Sequence, residues 1–380
     1  MNNISICKNC YGCGVCVIIC PQKIINLELD KEGFYHPNIF DIDACTNCGK
    51  CLNVCAFYVE KISETAKIIP ESFSGWSKNN QNLARCSSGG VAFEIGAYLI
   101  NKGYKACGVK YNGELKRAEH FMAASVNDFT PSIGSKYIPS YTLAGFTQIN
   151  ATDKFFITGT PCQIESLRRY IRKEKIEDNF VLLDFFCHGV PSVNLWIKYL
   201  EMFAEIKGSV SDVTWRNKEN GWHHSYKVKL TGNSGDSQYA INGGNLFYKF
   251  FLKDVCLGKA CYEKCKYKLT ASAADIRIGD LWGNTYKSNE EGVSGVIVLT
   301  QKGKNIIAKI DTCVFNKEEI SVVLSGQLKK SPKEPFIRKF ILKALSTNKS
   351  LKQIANTYLN IYNFTLIPKK IIKIAKFKRE

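Results

Sequence analysis

From about Phe73 onward, apolar positions repeatedly switch between helical and strand-like spacing. Residues from about Gly89 to Asn101 carry helical spacing, and YKACGVKY at 104–111 reads as a strand. KFFITG at 154–159 is a second strand, a helix follows Pro161, and FVLLDFFC at 180–187 is a third strand. Such alternation predicts α/β layers around a sheet. Later stretches, VSDVTWRN, SYKVKL and ADIRIGDLW, are strand-like with less helix between them, so the sheet is expected to be mixed. The polar segment KISETAKIIPES at 61–72 reads as a linker, which separates this region from a small N-terminal module.

That module carries the strongest chemical signal. Cys10, Cys13, Cys16 and Cys20 are separated by two, two and three residues and followed by Pro21, and Cys45, Cys48, Cys51 and Cys55 repeat the gaps with Ala56 in place of the proline. This is the spacing of bacterial two-cluster ferredoxins, in which the fourth cysteine of each run ligates the other cluster. Cys10, Cys13, Cys16 and Cys55 are therefore assigned to one 4Fe-4S cluster, and Cys45, Cys48, Cys51 and Cys20 to the other. Zinc would use two separated CxxC pairs, not a triplet with a displaced fourth ligand. Cys7 offers a competing register without the gap of three and is read as a spare. Gly12, Gly14 and Gly49 lie between ligands, where a missing Cβ lets backbone N–H groups approach sulfur. The expected fold class is an α+β ferredoxin-like two-cluster module followed by an α/β domain with a mixed sheet.

Composition changes this picture in two places. Seventeen cysteines would suggest disulfides in a secreted chain, but ferredoxin spacing needs free thiolates. With no charged-then-apolar leader, and no apolar stretch near the roughly 18 residues that span a bilayer, a cytoplasmic location is expected. The formal charge of +18 is offset by negative clusters and is concentrated at the C-terminus, where residues 367–380 hold six basic residues and one acid. There Lys369, Lys373 and Lys376 share one helical face, and Ile367, Ile371, Ile374 and Ala375 the other. That pattern fits peripheral membrane contact, docking of a partner, or packing on its own domain. No interleaved basic-aromatic module occurs, so nucleic-acid binding is not expected.

Four further motifs bear chemistry. Ser87, Ser88, Gly89 and Gly90 precede a helix whose first amides lack partners, which suits either a phosphate or pyrophosphate site or a routine cap. In ITGTPCQIESLRRY, Cys162 lies at a helix start that favours thiolate, as a nucleophile or a metal ligand. Cys187 and His188 end a strand in FFCHGVPS, and CYEKC places Cys261 and Cys265 four apart on a helical turn or a ligand loop. These four cysteines are read as a third all-cysteine cluster, with buried structural cysteines as the alternative. Cys86, Cys107, Cys256 and Cys313 are read as core residues, Cys86 being the one placed to substitute as a ligand or to lie near the site. Tryptophans 215 and 222, with His223 and His224, line a substrate opening or belong to the core. Asp275 and Asp280 bracket a short strand, where capping explains them as readily as cofactor contact.

From the first cysteine to about residue 305 the chain resembles the coenzyme F-420 hydrogenase/dehydrogenase beta subunits. The resemblance rests on SSGG at 87–90, GSKY at 134–137, GTPCQ at 159–163, CHGVPS at 187–192, WRNKENGW at 215–222, CYEKC at 261–265 and ADIRIGDLWG at 274–283. It implies a ferredoxin domain at 1–62, the family's N-terminal domain at 73–152, its C-terminal domain at 153–305 and a helical basic extension at 306–380. It also implies FAD beside a third 4Fe-4S cluster, with Ser87, Ser88, Gly89 and Gly90 as the FAD pyrophosphate cradle. Lys136 becomes a phosphate or flavin contact, and Thr160 reaches the flavin. His188 supplies a proton near the flavin, or simply donates to a backbone carbonyl. The implied function is an iron-sulfur flavoprotein oxidoreductase, fed by a redox partner protein or reduced ferredoxin and acting on a small molecule. Relatives point to pigment-like or sugar-derived substrates and a link to cell-surface polysaccharides. The alternative is a non-catalytic electron-transfer subunit.

Overall fold

A computed structural model describes residues 2–65, 68–203, 210–232, 237–239 and 245–362. The basic helix expected at 367–380 lies outside the described residues.

The N-terminal module is built from short pieces. Helices Val15–Ile18 and Lys50–Asn53 each start at a glycine in the left-handed region, Gly14 (φ 71°) and Gly49 (φ 68°). At four residues each, such helices depend on tertiary packing. Strands β1 (Ile25–Leu29) and β2 (Tyr35–Ile39) pair as an antiparallel hairpin, Ile25 opposite Ile39 and Leu29 opposite Tyr35.

The remainder is organised by a mixed sheet of nine strands. In chain order the strands are β3 (Glu71–Ser77), β4 (Tyr104–Asn112), β5 (Arg117–Ala123), β6 (Ser140–Tyr141), β7 (Lys154–Gly159), β8 (Phe180–Phe185), β9 (Val210–Thr214), β10 (Lys229–Gly232), β11 (Ser237–Tyr239), β12 (Ile276–Asp280), β13 (Ser294–Val298) and β14 (Cys313–Lys317). The large sheet runs β14-β3-β13-β12-β8-β7-β4-β5-β6, and β9, β10 and β11 form a small antiparallel sheet. Strands β12, β8, β7 and β4 are mutually parallel. Central parallel strands are covered on both faces, which is why β8 is apolar from Phe180 through Leu183 before its buried Asp184. The one sheet spans both halves expected on either side of residue 152. The stretch expected as a helical extension also contributes β14, paired with β3 at the sheet edge.

Alternate residues of the same strands feed two cores. Phe155 and Ile157 of β7, with Phe180 and Leu182 of β8, pack with Ile164 and Leu167 of the helix Pro161–Lys173 and with Val15, Leu52 and Val54 of the N-terminal module. Phe156, Val181 and Leu183 face the opposite way, onto Val91, Ile95 and Leu99 of the helix Val91–Ile100. The cysteine-rich module is thus an outer layer on one face of the sheet and shares its core. Polar pins fix it there: Ala56 N–H donates to Ser166 Oγ at 3.1 Å, Thr142 Oγ1 donates to the Cys13 carbonyl at 3.0 Å, and Ser63 donates to buried Glu165.

Candidate functional site

The two cysteine runs interlock. Cys20 of the first run lines a small cavity of about 20 Å³ with Cys45, Cys48 and Cys51 of the second. Cys55 in turn lies within electrostatic reach of Cys10, Cys13 and Cys16. Cys7, expected to be a spare, is buried in the first nest, hydrogen-bonded to Cys55. Position 12 needs glycine, because its backbone is left-handed (φ 66°) and a Cβ would come 2.6 Å from the Tyr35 carbonyl; its N–H points at Cys10 Sγ, 3.4 Å away. His36 Nδ1 lies 3.9 Å from the same sulfur, and its Nε2 is 3.1 Å from Asp30 Oδ2.

Four cysteines expected to act together are also gathered. Cys162 stands at the second position of the helix Pro161–Lys173. That helix starts with proline and a capping box: Gln163 Oε1 accepts from Thr160 N–H at 2.9 Å. Cys187 follows the end of β8. Cys261 belongs to the short helix Lys259–Glu263, and Cys265 lies just beyond its cap, so CYEKC combines a helical turn with a loop. Cys162 feels the charges of Cys187, Cys261 and Cys265, and Cys187 those of Cys261 and Cys265. Burial, reinforced by that repulsion, pushes Cys187 up to about 12 and Cys261 to about 11, with Cys10 at about 12 and Cys13 at about 11 in the first nest. Lys268 opposes the trend: its Nζ donates to the Cys187 carbonyl at 2.9 Å and its charge lowers both Cys187 and Cys261. Among the described residues no three His, Cys, Asp or Glu side chains converge as a site for a single ion. A cubane binds each thiolate to a different iron and so spreads its ligands wider than one ion would. The donor sets, all sulfur, fit iron-sulfur clusters whose iron replaces the thiol protons.

These elements meet at one cavity of about 530 Å³. It lies outside the carboxyl ends of β7, β8 and β12, the usual crevice of a parallel sheet. Cys162, Cys187 and Cys261 line it, together with Thr160 and His188; Cys265 is not part of the wall. Cys10, Tyr11 and His36 of the N-terminal module form the facing wall. Thr160 Oγ1 sits 3.2 Å from Cys162 Sγ. His188 Nε2 is 2.7 Å from Asp254 Oδ1, and its ring packs 4.9 Å from that of Phe251. The carbonyl bond considered for His188 is thus replaced by a carboxylate partner.

The Ser-Gly run forms another part of the wall through Ser87, Ser88 and Gly90. Ser87 Oγ accepts from Ser135 N–H at 2.8 Å and Ser88 Oγ donates to the Val293 carbonyl at 2.8 Å. Gly90 caps the ten-residue helix Val91–Ile100 with φ 82° and no side-chain cap, which leaves its first amides to another acceptor. Gly89 is absent from the wall and serves packing, since a Cβ there would meet the Gly75 carbonyl at 2.2 Å. Lys136 Nζ donates to the carbonyls of Pro131 and Ile133, both at 2.9 Å. Although part of its surface is open to the cavity, removal from bulk water pushes its ammonium down to about 7. Lys218, pushed down to about 8 by burial, donates to the carbonyls of Leu83, Ser88 and Glu291 and so ties the Ser-Gly run to the 215–222 loop.

Aromatic residues complete the wall, and of the two readings of the tryptophans the core one holds. Trp215 and Trp222 are core, 1% and 0% exposed, whereas Tyr137, Tyr226 and Trp282 reach the cavity. His223 and His224 do not line it among the described residues. Arg216, fully buried, lies 4.2 Å from the Tyr226 ring centroid and 3.0 Å from Asp280 Oδ2. Asp280 is therefore a wall residue. Asp275 is structural, accepting from Leu182 N–H and Thr300 Oγ1, both at 2.8 Å, and pairing with Arg168 at 3.1 Å. Cys86 borders the cavity; Cys107, Cys256 and Cys313 are core. Tyr11, Asp254 and Lys268 were invisible to motif reading. The only local sign of Tyr11 is its place beside a ligand cysteine.

Two stretches of the chain match known family models. Residues 9–59 match the family model of the 4Fe-4S dicluster domain, and residues 152–321 match that of the C terminus of the coenzyme F420 hydrogenase/dehydrogenase beta subunit. A coenzyme F420-dependent sulfite reductase of Methanocaldococcus jannaschii is 23% identical over 88% of this chain; the chain spans about half, 51%, of that relative's length. An uncharacterised protein of the same organism is 23% identical over 80% of this chain and 86% of its own. Among solved structures, a chain of the F420-reducing [NiFe] hydrogenase complex from Methanosarcina barkeri is 18% identical, covering 77% of this chain and 92% of that one with a TM-score of 0.48. No helix among the described residues is long and apolar enough to cross a membrane.

Proposed function

We propose, for a chain that joins a 4Fe-4S dicluster domain to the C-terminal region of the coenzyme F420 hydrogenase/dehydrogenase beta subunit family, that it is an iron-sulfur flavoprotein oxidoreductase. It would move electrons between a partner redox protein and a small organic substrate. The observation that carries this reading is the single cavity walled by Cys10 from one side, by Cys162, Cys187 and Cys261 from another, and by the Ser-Gly helix start with Lys136.

Cys10, Cys13, Cys16 and Cys55 would hold one cluster, Cys20, Cys45, Cys48 and Cys51 a second, and Cys162, Cys187, Cys261 and Cys265 a third. Ser87, Ser88, Gly90 and Lys136 would receive the pyrophosphate of FAD, with Thr160 toward its ring system. A bound flavin would supply the exchange between two-electron and one-electron chemistry. The chain's own residues do the rest. Asp254 fixes the imidazole of His188, which takes or gives a proton at the cavity. Tyr137, Tyr226 and Trp282 offer flat apolar surface to a ring and exclude water. Cys48 is exposed, so the second nest meets the surface where a partner protein or reduced ferredoxin docks.

The test is anaerobic purification followed by iron and flavin analysis. About 12 irons and one FAD per chain are expected at four irons per cluster, with the flavin band bleached by reduced viologen, NADPH or reduced deazaflavin. About eight irons without flavin would favour an electron relay lacking catalysis of its own. Cys162→Ser should remove one cluster's iron and spare the ferredoxin pair; unchanged iron would end that assignment. Candidate pigment-like or sugar-derived substrates are then scored by reoxidation of the reduced protein.

A further inference from the structure

Tyr11 sits where the two cysteine nests approach each other. It follows Cys10 directly, and its ring is wedged between Phe57, two residues after Cys55, and Tyr267, two residues after Cys265. The centroid separations are 5.6 and 6.0 Å, both edge-on. The Tyr11 hydroxyl lies within electrostatic reach of Cys162, Cys261 and Cys265 on one side and of Cys55 on the other. Its proton goes to the Lys264 carbonyl. That carbonyl caps the end of the helix Lys259–Glu263, where backbone acceptors lack helical partners, and its carbon is bonded to the nitrogen of Cys265.

A continuous chain of atoms results. From Cys10 Sγ it runs through one peptide bond into Tyr11, along the phenol, across one hydrogen bond to the Lys264 carbonyl, and through the next peptide bond to Cys265 Sγ. Bonded and hydrogen-bonded atoms couple electron donor and acceptor more strongly than van der Waals gaps or open space do.

Resting on the three-cluster reading above, we propose that Tyr11 is the electronic bridge between the Cys10–Cys55 nest and the Cys162–Cys265 nest, so that electrons pass between module and sheet domain through this tyrosine. One electron leaves one nest and arrives at the other; no bond is made or broken, and the phenol keeps its proton. Tyr11 is a positioning residue in this scheme: its side chain also borders the cavity, but the path runs through its phenol and the Lys264 carbonyl. The hydrogen bond also pins the ferredoxin loop to the CYEKC turn, which keeps the path length constant.

The experiment uses full-length protein purified without oxygen, as wild type, Tyr11→Phe and Tyr11→Leu. Iron is counted, and the protein is mixed with less than one equivalent of reduced methyl viologen and freeze-quenched for electron paramagnetic resonance. Both variants are expected to keep wild-type iron and all cluster signals. The signal of the Cys162-type cluster should grow several-fold more slowly in Tyr11→Phe, which lacks only the hydrogen bond, and more slowly still in Tyr11→Leu. Equal growth rates in all three proteins would overturn the proposal. So would loss of iron from Tyr11→Phe, which would make the tyrosine a structural pin and not a bridge. A wild-type protein holding iron for only two clusters would instead defeat the three-cluster reading itself.

Discussion

At the scale of single residues, burial decides which polar groups do chemistry and which hold the fold. Arg277 and Asp184 face each other on adjacent parallel strands, both side chains fully buried, with Nε to Oδ1 at 2.7 Å and Nη2 to Oδ2 at 2.6 Å. Ser272 donates to the same carboxylate, and Arg277 Nη1 to the Leu269 carbonyl, so the pair anchors the loop that carries Lys268 beside the third nest. Asp184→Ala would strand a buried guanidinium, and a loss of about 3–5 kcal/mol is expected in denaturant unfolding. Lys136 behaves differently because burial, not pairing, dominates it. Its folded-state pKa of about 7 lies below the ordinary lysine value of 10.5, so the unfolded chain binds more protons between those values. Its contribution to stability therefore rises with pH across that window and is flat below it. A bound anion favours the charged ammonium, so affinity for pyrophosphate or FAD should fall as pH rises through about 7. Titration calorimetry at about pH 6 and about pH 8.5, either side of that value, should find that this fall is several-fold in wild type and reduced in Lys136→Met.

At the scale of elements, the helix Pro161–Lys173 links the two halves. Its first turn presents Cys162, its next carries Glu165 and Ser166 onto the cysteine module, and Ile164 and Leu167 enter the shared core. Thr160, Pro161 and Gln163 announce this helix in the sequence because capping is local chemistry. The crossing of the Ser-Gly run over β3 is equally exacting. A methyl at Gly89 would meet backbone, the Gly75 carbonyl at 2.2 Å and Ser294 N at 2.7 Å, so relief requires strands to move. Gly89→Ala is expected to cost about 1–3 kcal/mol, read from the denaturation midpoint, and to weaken anion binding at the neighbouring helix start. Strand β5 and strand β14 were not legible in the sequence. RAEHFMA mixes charge with apolar residues, and its buried Glu119 and His120 are satisfied from neighbouring strands: by Asn112 of β4 for Glu119 and by the Thr158 carbonyl of β7 for His120.

At the scale of the whole molecule, the two halves differ in what holds them together. The sheet has apolar cores on both faces, whereas the N-terminal module fills much of its interior with cysteines, among them Cys7, Cys13, Cys16, Cys51 and Cys55. Buried thiols without metal tie no loop to another, so iron supplies the module's cross-links. Limited proteolysis after anaerobic chelation should cleave within residues 1–62 while the sheet domain stays intact, and loaded protein should resist. Equal resistance with and without iron would show that the shared core suffices.

Much of the chemistry was determined by local sequence: ligand spacing, capping residues and glycines at left-handed positions each act over a few residues, so the two-cluster module, the helix starts and the alternation around a mixed sheet could be read directly. Which groups meet across long stretches of sequence was decided by tertiary structure alone. Asp254 reaches His188, Tyr11 reaches Lys264, Trp282 and Tyr226 displace Trp215 and Trp222 from the cavity, and the wall facing the third cysteine nest comes from the opposite end of the chain. The reason is physical: such contacts arise where layers pack, and packing depends on the summed shape of the cores, which no short stretch of residues encodes.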